Sequence, residues 1–237
     1  MDGSPSPPKS SGDATSHPWR RASIHLHPSP LYVICDADAC ARAGWSVRDF
    51  AHACLRGGAR VLQLRAKQVS SAWWLDEAAA VVALAREYAA QVIVNDRADI
   101  AVLAGADGVH VGQDDLSPAL VRRVVGDTAL VGLSTHTRAQ ATHAATTKAS
   151  YLAVGPVFSS QTKDTGYGAV GLPLVAEAAE AAATVGRPLV AIGGITLDRA
   201  PEVLRAGAAA VAVISDLWVG GDPKSRVRAY LRTLERV

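Results

Sequence analysis

Gly105-Ala106-Asp107-Gly108-Val109-His110-Val111 decides the fold, because its layout occurs twice more, in Gly58-Ala-Arg-Val-Leu-Gln-Leu64 and Gly207-Ala-Ala-Ala-Val-Ala-Val213. In each, a glycine can end a helix in the left-handed conformation while the chain turns directly into a strand. The glycines stand 47 and 102 residues apart, close to one and two (β/α)₂ units. Outward from these points, short apolar runs recur at Leu31–Cys35, Val61–Leu64, Val92–Val94, Gly108–Val111, Leu130–Gly132, Tyr151–Val154, Leu189–Ile192 and Val211–Ile214. Continuous apolar runs suit parallel strands covered on both faces, whereas half-exposed sheets alternate. Most intervening segments are Ala-rich and long enough for a helix, as at Trp73–Ala90 and Leu172–Val185, while Asp96–Ala104 has room for a short one. Eight such units predict a closed (β/α)₈ TIM barrel of the α/β class, although a doubly wound open sheet shares the local pattern.

The length of 237 residues suits one closed barrel, and a hydrophobic content of 49% supplies its core. Residues 1–29 stand apart. Six of the twelve prolines lie in the first thirty residues, mixed with serines. Such a segment buries too little apolar surface to offset its ordering entropy, so a disordered tail over 1–29 and a single barrel domain over 30–237 are expected. Arg20 and Arg21 near serines invite a targeting-peptide reading, but there is no apolar signal core, and Asp2 and Asp13 oppose a transit peptide. Lys plus Arg is 24 against 22 Asp plus Glu, a balance without the basic stripe of a nucleic-acid binder. No apolar run approaches the about 18 residues of a membrane span. Cys35, Cys40 and Cys54 are odd in number and form no C-x-x-C, which argues against a disulfide framework or zinc site and for a reducing, cytoplasmic setting. The histidines lack metal-ligand spacing; His136 and His143 are read as surface or capping residues.

Polar residues collect just after the strands, on the mouth where barrel enzymes build their sites. Gln63-Leu-Arg65-Ala-Lys67 follows the second run, Asn95-Asp96-Arg97 the third and Gln113-Asp114-Asp115 the fourth. Ser134 follows the fifth, Ser160-Gln-Thr162-Lys163 the sixth, Gly193-Gly194 the seventh and Ser215 the eighth. Each has a plainer reading. Asp96 could cap the short helix after the third strand, and Asp115 or Ser117 one beginning at Pro118. Arg65 and Lys67 taken singly are solvated loop charges, but their alternation with Gln63 puts all three near one side of an extended segment. Two cations facing one way at a barrel mouth call for an anion. Gly193-Gly194 could be a plain turn, yet a backbone approaching a phosphate needs the same missing Cβ, and the loops after strands 7 and 8 are the usual phosphate cradle.

Taken in order, these residues resemble the thiamine-phosphate synthase family, over about Leu31 to Leu234. Leu31-Tyr-Val-Ile-Cys-Asp36 looks like the family's first strand, Gln63-Leu-Arg-Ala-Lys67 like its Q-L-R-x-K and Asn95-Asp-Arg97 like its N-D-R. Gly105 to Asp115 matches G-A-D-G-V-H-x-G-Q-x-D, and Gly155-Pro-Val-Phe158, Thr162-Lys163, Ala191-Ile-Gly-Gly-Ile195 and Val213-Ile-Ser215 complete the set. The resemblance implies that Gln63, Arg65, Lys67 and Asn95 hold an aminopyrimidine diphosphate, that Asp96 and Asp115 ligate Mg²⁺, and that Ser134 contacts the pyrimidine and Lys163 the diphosphate. It assigns Ser160, Thr162, Gly194, Ile214 and Ser215 to a thiazole phosphate. Arg65, Lys67, Ser134 and Lys163 are the implied catalytic set, with a loop Ser159–Gly168 that closes over the diphosphate. The partners implied are small phosphorylated molecules, with no nucleic acid or membrane, and a homo-oligomer is compatible. Two departures stand out: Ser159-Ser160 where the family usually has Pro-Thr, and Ser150 where Asp is common. A related thiazole tautomerase, which would need no Mg²⁺ pair and no diphosphate grip, and a non-catalytic phosphate-sensing barrel, which would bind ligand without turnover, are the competing readings.

Overall fold

The computed structural model describes residues 25–159 and 168–237. Eight parallel strands close into a barrel in sequence order: β1 (Leu31–Asp36), β2 (Val61–Arg65), β3 (Gln91–Asn95), β4 (Gly108–Val111), β5 (Leu130–Thr135), β6 (Tyr151–Val154), β7 (Leu189–Ile192) and β8 (Ala210–Val213). Closure is made by β8 on β1, with Leu31 opposite Val211 and Val33 opposite Val213. The closed ring excludes the doubly wound sheet. Helices α1 (Ala37–Arg42), α2 (Val47–Gly57), α3 (Ser71–Glu87), α4 (Ala98–Ala104), α5 (Pro118–Val125), α6 (Arg138–Thr146), α7 (Gly171–Ala183), α8 (Ala200–Arg205) and α9 (Pro223–Leu234) surround it, with a 3-10 turn at Ser215–Trp218.

Local chemistry sets these boundaries. The three repeat glycines all adopt positive φ, at 108° for Gly58, 66° for Gly105 and 105° for Gly207, each where a helix gives way to a strand. Ser46, Ser70, Ser117 and Thr137 cap the helices that follow them, each accepting from the backbone N–H three residues on. The α1 helix was hidden in the sequence because it is short and starts directly at the end of β1, with Asp36 as its cap.

Strand parity divides the core in two. Residues such as Val33, Leu62, Val94, Val109 and Leu152 face outward and pack under the helices with Phe50, Trp74 and Tyr230. Residues of the other parity, including Tyr32, Val61, Ile93, Leu130, Tyr151 and Val190, fill the barrel. This is a plugged barrel, not a pore. Tight contacts keep two strand positions small: a Cβ on Gly108 would lie 2.2 Å from the Leu130 carbonyl oxygen, and one on Gly132 would lie 2.2 Å from the Tyr151 ring. At the N-terminal end of the barrel, Ser150 accepts from Val131 N–H at 3.0 Å and from Arg122 at 2.7 Å.

At the barrel's lower end, the residues just before β1 make specific contacts. His27 N–H donates to Gln91 Oε1 at 2.7 Å, and Gln91 Nε2 donates to the His25 carbonyl at 2.8 Å. Leu26 packs on the inner cluster. Deleting residues 2–24 is expected to leave the melting temperature unchanged. Extending the deletion through Ser29 should lose about 2 kcal/mol of burial and hydrogen bonding, or about 4–8 °C for a chain of this size. Thermal melts of the two truncations compare them directly, and equal melts would show that residues 25–29 contribute nothing. Among the described residues, no helix is long and apolar enough to cross a membrane.

Candidate active site

The interior parity that buries Tyr32 and Ile93 low in the barrel carries polar residues at the C-terminal strand ends. Gln63 and Arg65 on β2, Asn95 on β3, His110 on β4 and Ser134 on β5 line one side of a cavity. Gly193, Gly194, Ile214 and Ser215, which follow β7 and β8, line another. The cavity holds about 940 Å³ of empty space, part of it open to solvent. The structure therefore brings together Gln63, Arg65, Asn95, Ser134, Gly194, Ile214 and Ser215. Lys67, Asp96 and Asp115 sit on loops beyond this wall, and Ser160, Thr162 and Lys163 lie outside the described residues.

Arg65 is held by strand register. It stands opposite Asp36 in the β1–β2 ladder, and the two form an ion pair. Asp36 has a second task, accepting from Ala39 N–H at 2.9 Å as the cap of α1. Arg65 Nε is buried and has no hydrogen-bond partner among the described residues. A buried donor left unmade costs about 1–3 kcal/mol.

Neither candidate metal ligand is a helix cap. The residue preceding α4 is Arg97, with no side-chain capping bond, and Asp96 instead forms an ion pair with Lys67. Asp96 adopts a left-handed φ of 63°, uncommon for a residue with a side chain. Ser117 caps α5, while Asp115 Oδ2 accepts from Gly112 N–H at 2.8 Å and so shapes its own loop. Among the described residues, no group of three or more His, Cys, Asp or Glu is arranged to hold a metal. Two carboxylates on loops after adjacent strands do fit Mg²⁺, which commonly binds through one or two carboxylates plus substrate phosphates and water.

A polar chain that sequence reasoning missed runs through the barrel beneath the cavity. Gln63 Nε2 donates to Tyr32 Oη at 3.0 Å, Tyr32 Oη lies 2.9 Å from Tyr151 Oη, and Tyr151 Oη lies 3.0 Å from His110 Nδ1. His110 Nε2 is 2.8 Å from Ser134 Oγ. Burial pushes both phenols well above their ordinary pKa. Gly132 makes room for the chain, since a Cβ there would also lie 2.3 Å from His110 Nδ1. The signal was available: His110 falls on the inward parity of β4, where a polar side chain must find partners. His136 is likewise corrected. It lies between β5 and α6, lines the cavity, and bonds through Nδ1 to the Gly155 carbonyl at 2.5 Å; it is not a surface or capping residue. Cys35, Cys40 and Cys54 are free and buried between β1 and its helices, and burial pushes the Cys40 thiol up to about 12.

Gly193 and Gly194 have φ of 99° and 63°. A Cβ on Gly193 would lie 2.5 Å from Pro156, and one on Gly194 would lie 2.6 Å from the Ser159 carbonyl oxygen. The pair is required by backbone conformation and by the loop after β6 pressing on it, a cause the sequence did not reveal.

A closed parallel barrel with an arginine, a lysine and two carboxylates gathered at its C-terminal mouth defines an enzyme barrel suited to an anionic ligand. The family model described as thiamine monophosphate synthase matches residues 31–217, and the chain belongs to that family. Thiamine-phosphate synthase of Roseiflexus castenholzii is 42% identical over 199 residues, covering 84% of this chain and 85% of that one. Its counterpart in Chloroflexus aurantiacus is 39% identical over 213 residues, covering 90% and 95%. The solved thiamine phosphate pyrophosphorylase of Pyrococcus furiosus superposes with a TM-score of 0.78 at 30% identity, covering 88% of this chain and 96% of that one.

Proposed function

We propose that the chain is a thiamine-phosphate synthase. It would join 4-amino-2-methyl-5-(diphosphooxymethyl)pyrimidine to a thiazole phosphate, giving thiamine phosphate and pyrophosphate. The observation that carries the reading is the division of the cavity wall, with Gln63, Arg65, Asn95 and Ser134 on one side and Gly194, Ile214 and Ser215 on another. That division suits two substrates held in contact, which removes an entropic barrier to their reaction. The C–O bond to the diphosphate breaks with its electron pair going to the leaving oxygen. The pyrimidine-methyl cation that remains is stabilised by its amino group, and the thiazole nitrogen lone pair closes the new C–N bond. No protein nucleophile is needed.

The protein's part is to place charge where it develops. Arg65, whose Nε lacks an acceptor, and Lys67 face the diphosphate, while Gln63, Asn95 and Ser134 orient the pyrimidine. Asp96 and Asp115 would hold Mg²⁺, which when bound supplies positive charge against the leaving diphosphate. Ser160, Thr162, Gly194, Ile214 and Ser215 take the thiazole phosphate, and Lys163 reaches the diphosphate from the loop Ser159–Gly168. Both substrates are small phosphorylated molecules, and a cytoplasmic setting fits them.

Pyrophosphate release from the two substrates tests the reading. A tautomerase or a ligand-sensing barrel would release none. In the same assay Lys163→Ala should lower kcat by about a hundredfold or more and change the thiazole phosphate KM little, because charge on the diphosphate grows mainly in the transition state. An unchanged kcat with a raised thiazole KM would move Lys163 to the other substrate.

A further inference from the structure

Arg122 on α5 and Arg187 just before β7 line a second pocket, at the N-terminal end of the barrel and away from the mouth that holds the candidate active site. It has about 780 Å³ of empty space, part of it open to solvent, and Ser150 and His25 line it too. Both arginines are partly buried and grip backbone carbonyls. Arg122 Nε donates to the Lys148 carbonyl at 3.3 Å, and its Nη1 to those of Gly126, Asp127 and Ala129. Arg187 Nη1 donates to the carbonyls of Ala144 and Ala145, and its Nη2 to that of Thr147 at 2.8 Å. The two cations therefore meet on the consecutive carbonyls of Thr147 and Lys148. Carbonyls satisfy the N–H groups but leave two like charges side by side. Among the described residues, no carboxylate, that of Asp127 included, lies within ion-pair distance of either arginine. Burial pulls the Arg122 guanidinium below its ordinary pKa; Asp127 opposes that shift in part, and Arg187 adds to it.

Ser150 fills a slot that recurs in the barrel. Its N–H donates to the Val131 carbonyl, and its Oγ accepts from Val131 N–H at 3.0 Å. Just before β4, Asp107 N–H donates to the Val92 carbonyl, and its carboxylate accepts from Val92 N–H at 2.8 Å. The fold thus holds a carboxylate in this slot before β4 and a hydroxyl before β6, where Arg122 Nη2 reaches it at 2.7 Å. A backbone N–H and a guanidinium can only donate, so they occupy the lone pairs of Ser150 Oγ and leave its hydrogen to donate in turn.

We propose that this lower pocket is a binding site for a small oxyanion of the phosphate class, held by Arg122, Arg187 and Ser150 where the slot lacks a carboxylate. Guanidinium groups suit the oxygens of a phosphate, and charge-assisted bonds to it are stronger than those to carbonyls. The pocket has room for the phosphate to be free or carried on a small ester. An anion there neutralises the paired cations, so it stabilises the native state by linkage. The site is independent of the activity proposed above.

Thermal melts with inorganic phosphate test the site, against sodium chloride at matched ionic strength. At about ten times the midpoint of its titration, phosphate should raise the wild-type melting temperature by about 3–6 °C over chloride. Ser150→Asp supplies the carboxylate from within, so it should melt above wild type without phosphate and lose that increment. Ser150→Asn matches its size without the charge and should keep the increment. Phosphate bound at the barrel mouth contributes alike to all three proteins, so the difference between them reads the lower pocket alone. Arg187→Gln removes one of the cations and should lose the increment as well, which keeps the test open if the aspartate variant does not fold. Pyrophosphate and glycerol phosphate, run beside inorganic phosphate, tell a free anion from an ester by which gives the larger increment. An increment equal in wild type, Ser150→Asp and Arg187→Gln overturns the proposal, and so does a wild type that responds to phosphate no more than to chloride.

Discussion

Asp96→Asn is expected to lower Mg²⁺-dependent kcat/KM by about a thousandfold while shifting the melting temperature by no more than about 4 °C. The small thermal effect follows from what Asp96 does not do. It caps no helix, and its ion pair with Lys67 is half-exposed, with side-chain exposures of 21% and 47%, where such pairs contribute about 0–1 kcal/mol. Asparagine also tolerates the left-handed φ of 63°, so the backbone is unchanged. Asp96→Ala removes the carboxylate as well, but adds about 1–2 kcal/mol of left-handed strain. The pair of variants therefore separates charge from backbone. If the carboxylate is a metal ligand, both lose turnover and only the alanine variant loses stability. An Mg²⁺ titration of activity that superposes for Asp96→Asn and wild type would remove Asp96 from the metal site. Lys67, released from Asp96, would then be the residue to follow.

The barrel was legible because its strands are buried on both faces. Val61–Leu64, Gly108–Val111 and Tyr151–Val154 are mostly apolar or small runs, and Gly58, Gly105 and Gly207, each ending a helix, mark where β2, β4 and β8 begin. The rim of the site was legible for a related reason: a charged residue directly after such a run, such as Arg65 or Asp96, has few places to go. What lies across strands was not. That Asp36 meets Arg65 depends on the β1–β2 register, and that Tyr151 meets His110 depends on Gly132 standing between them in β5. Neither spacing is written in one segment of chain. The glycine pair at 193–194 carries the same lesson, since its tight neighbours belong to the loop after β6. Ser160, Thr162 and Lys163 remain sequence-based assignments, outside the described residues.

Arg65→Ala should have the largest combined effect, on stability and on turnover, and the two can be pulled apart. Removing the guanidinium leaves the Asp36 carboxylate buried, at 5% side-chain exposure, without its cation. Breaking a buried pair from one side costs about 3–5 kcal/mol, or about 6–20 °C here. Turnover should fall by about a hundredfold or more if Arg65 serves the leaving diphosphate as proposed. Asp36→Asn added to Arg65→Ala removes the stranded charge, and asparagine caps α1 as well as aspartate does. The double variant should regain most of the lost stability and none of the lost activity. Arg65→Lys keeps the positive charge but loses the Nε donor that now lacks a partner, so it should fall between the alanine variant and wild type in kcat/KM. Recovery of full turnover in the double variant would mean that Arg65 serves only to neutralise Asp36. The diphosphate would then have to be held by Lys67 and the residues beyond the barrel wall.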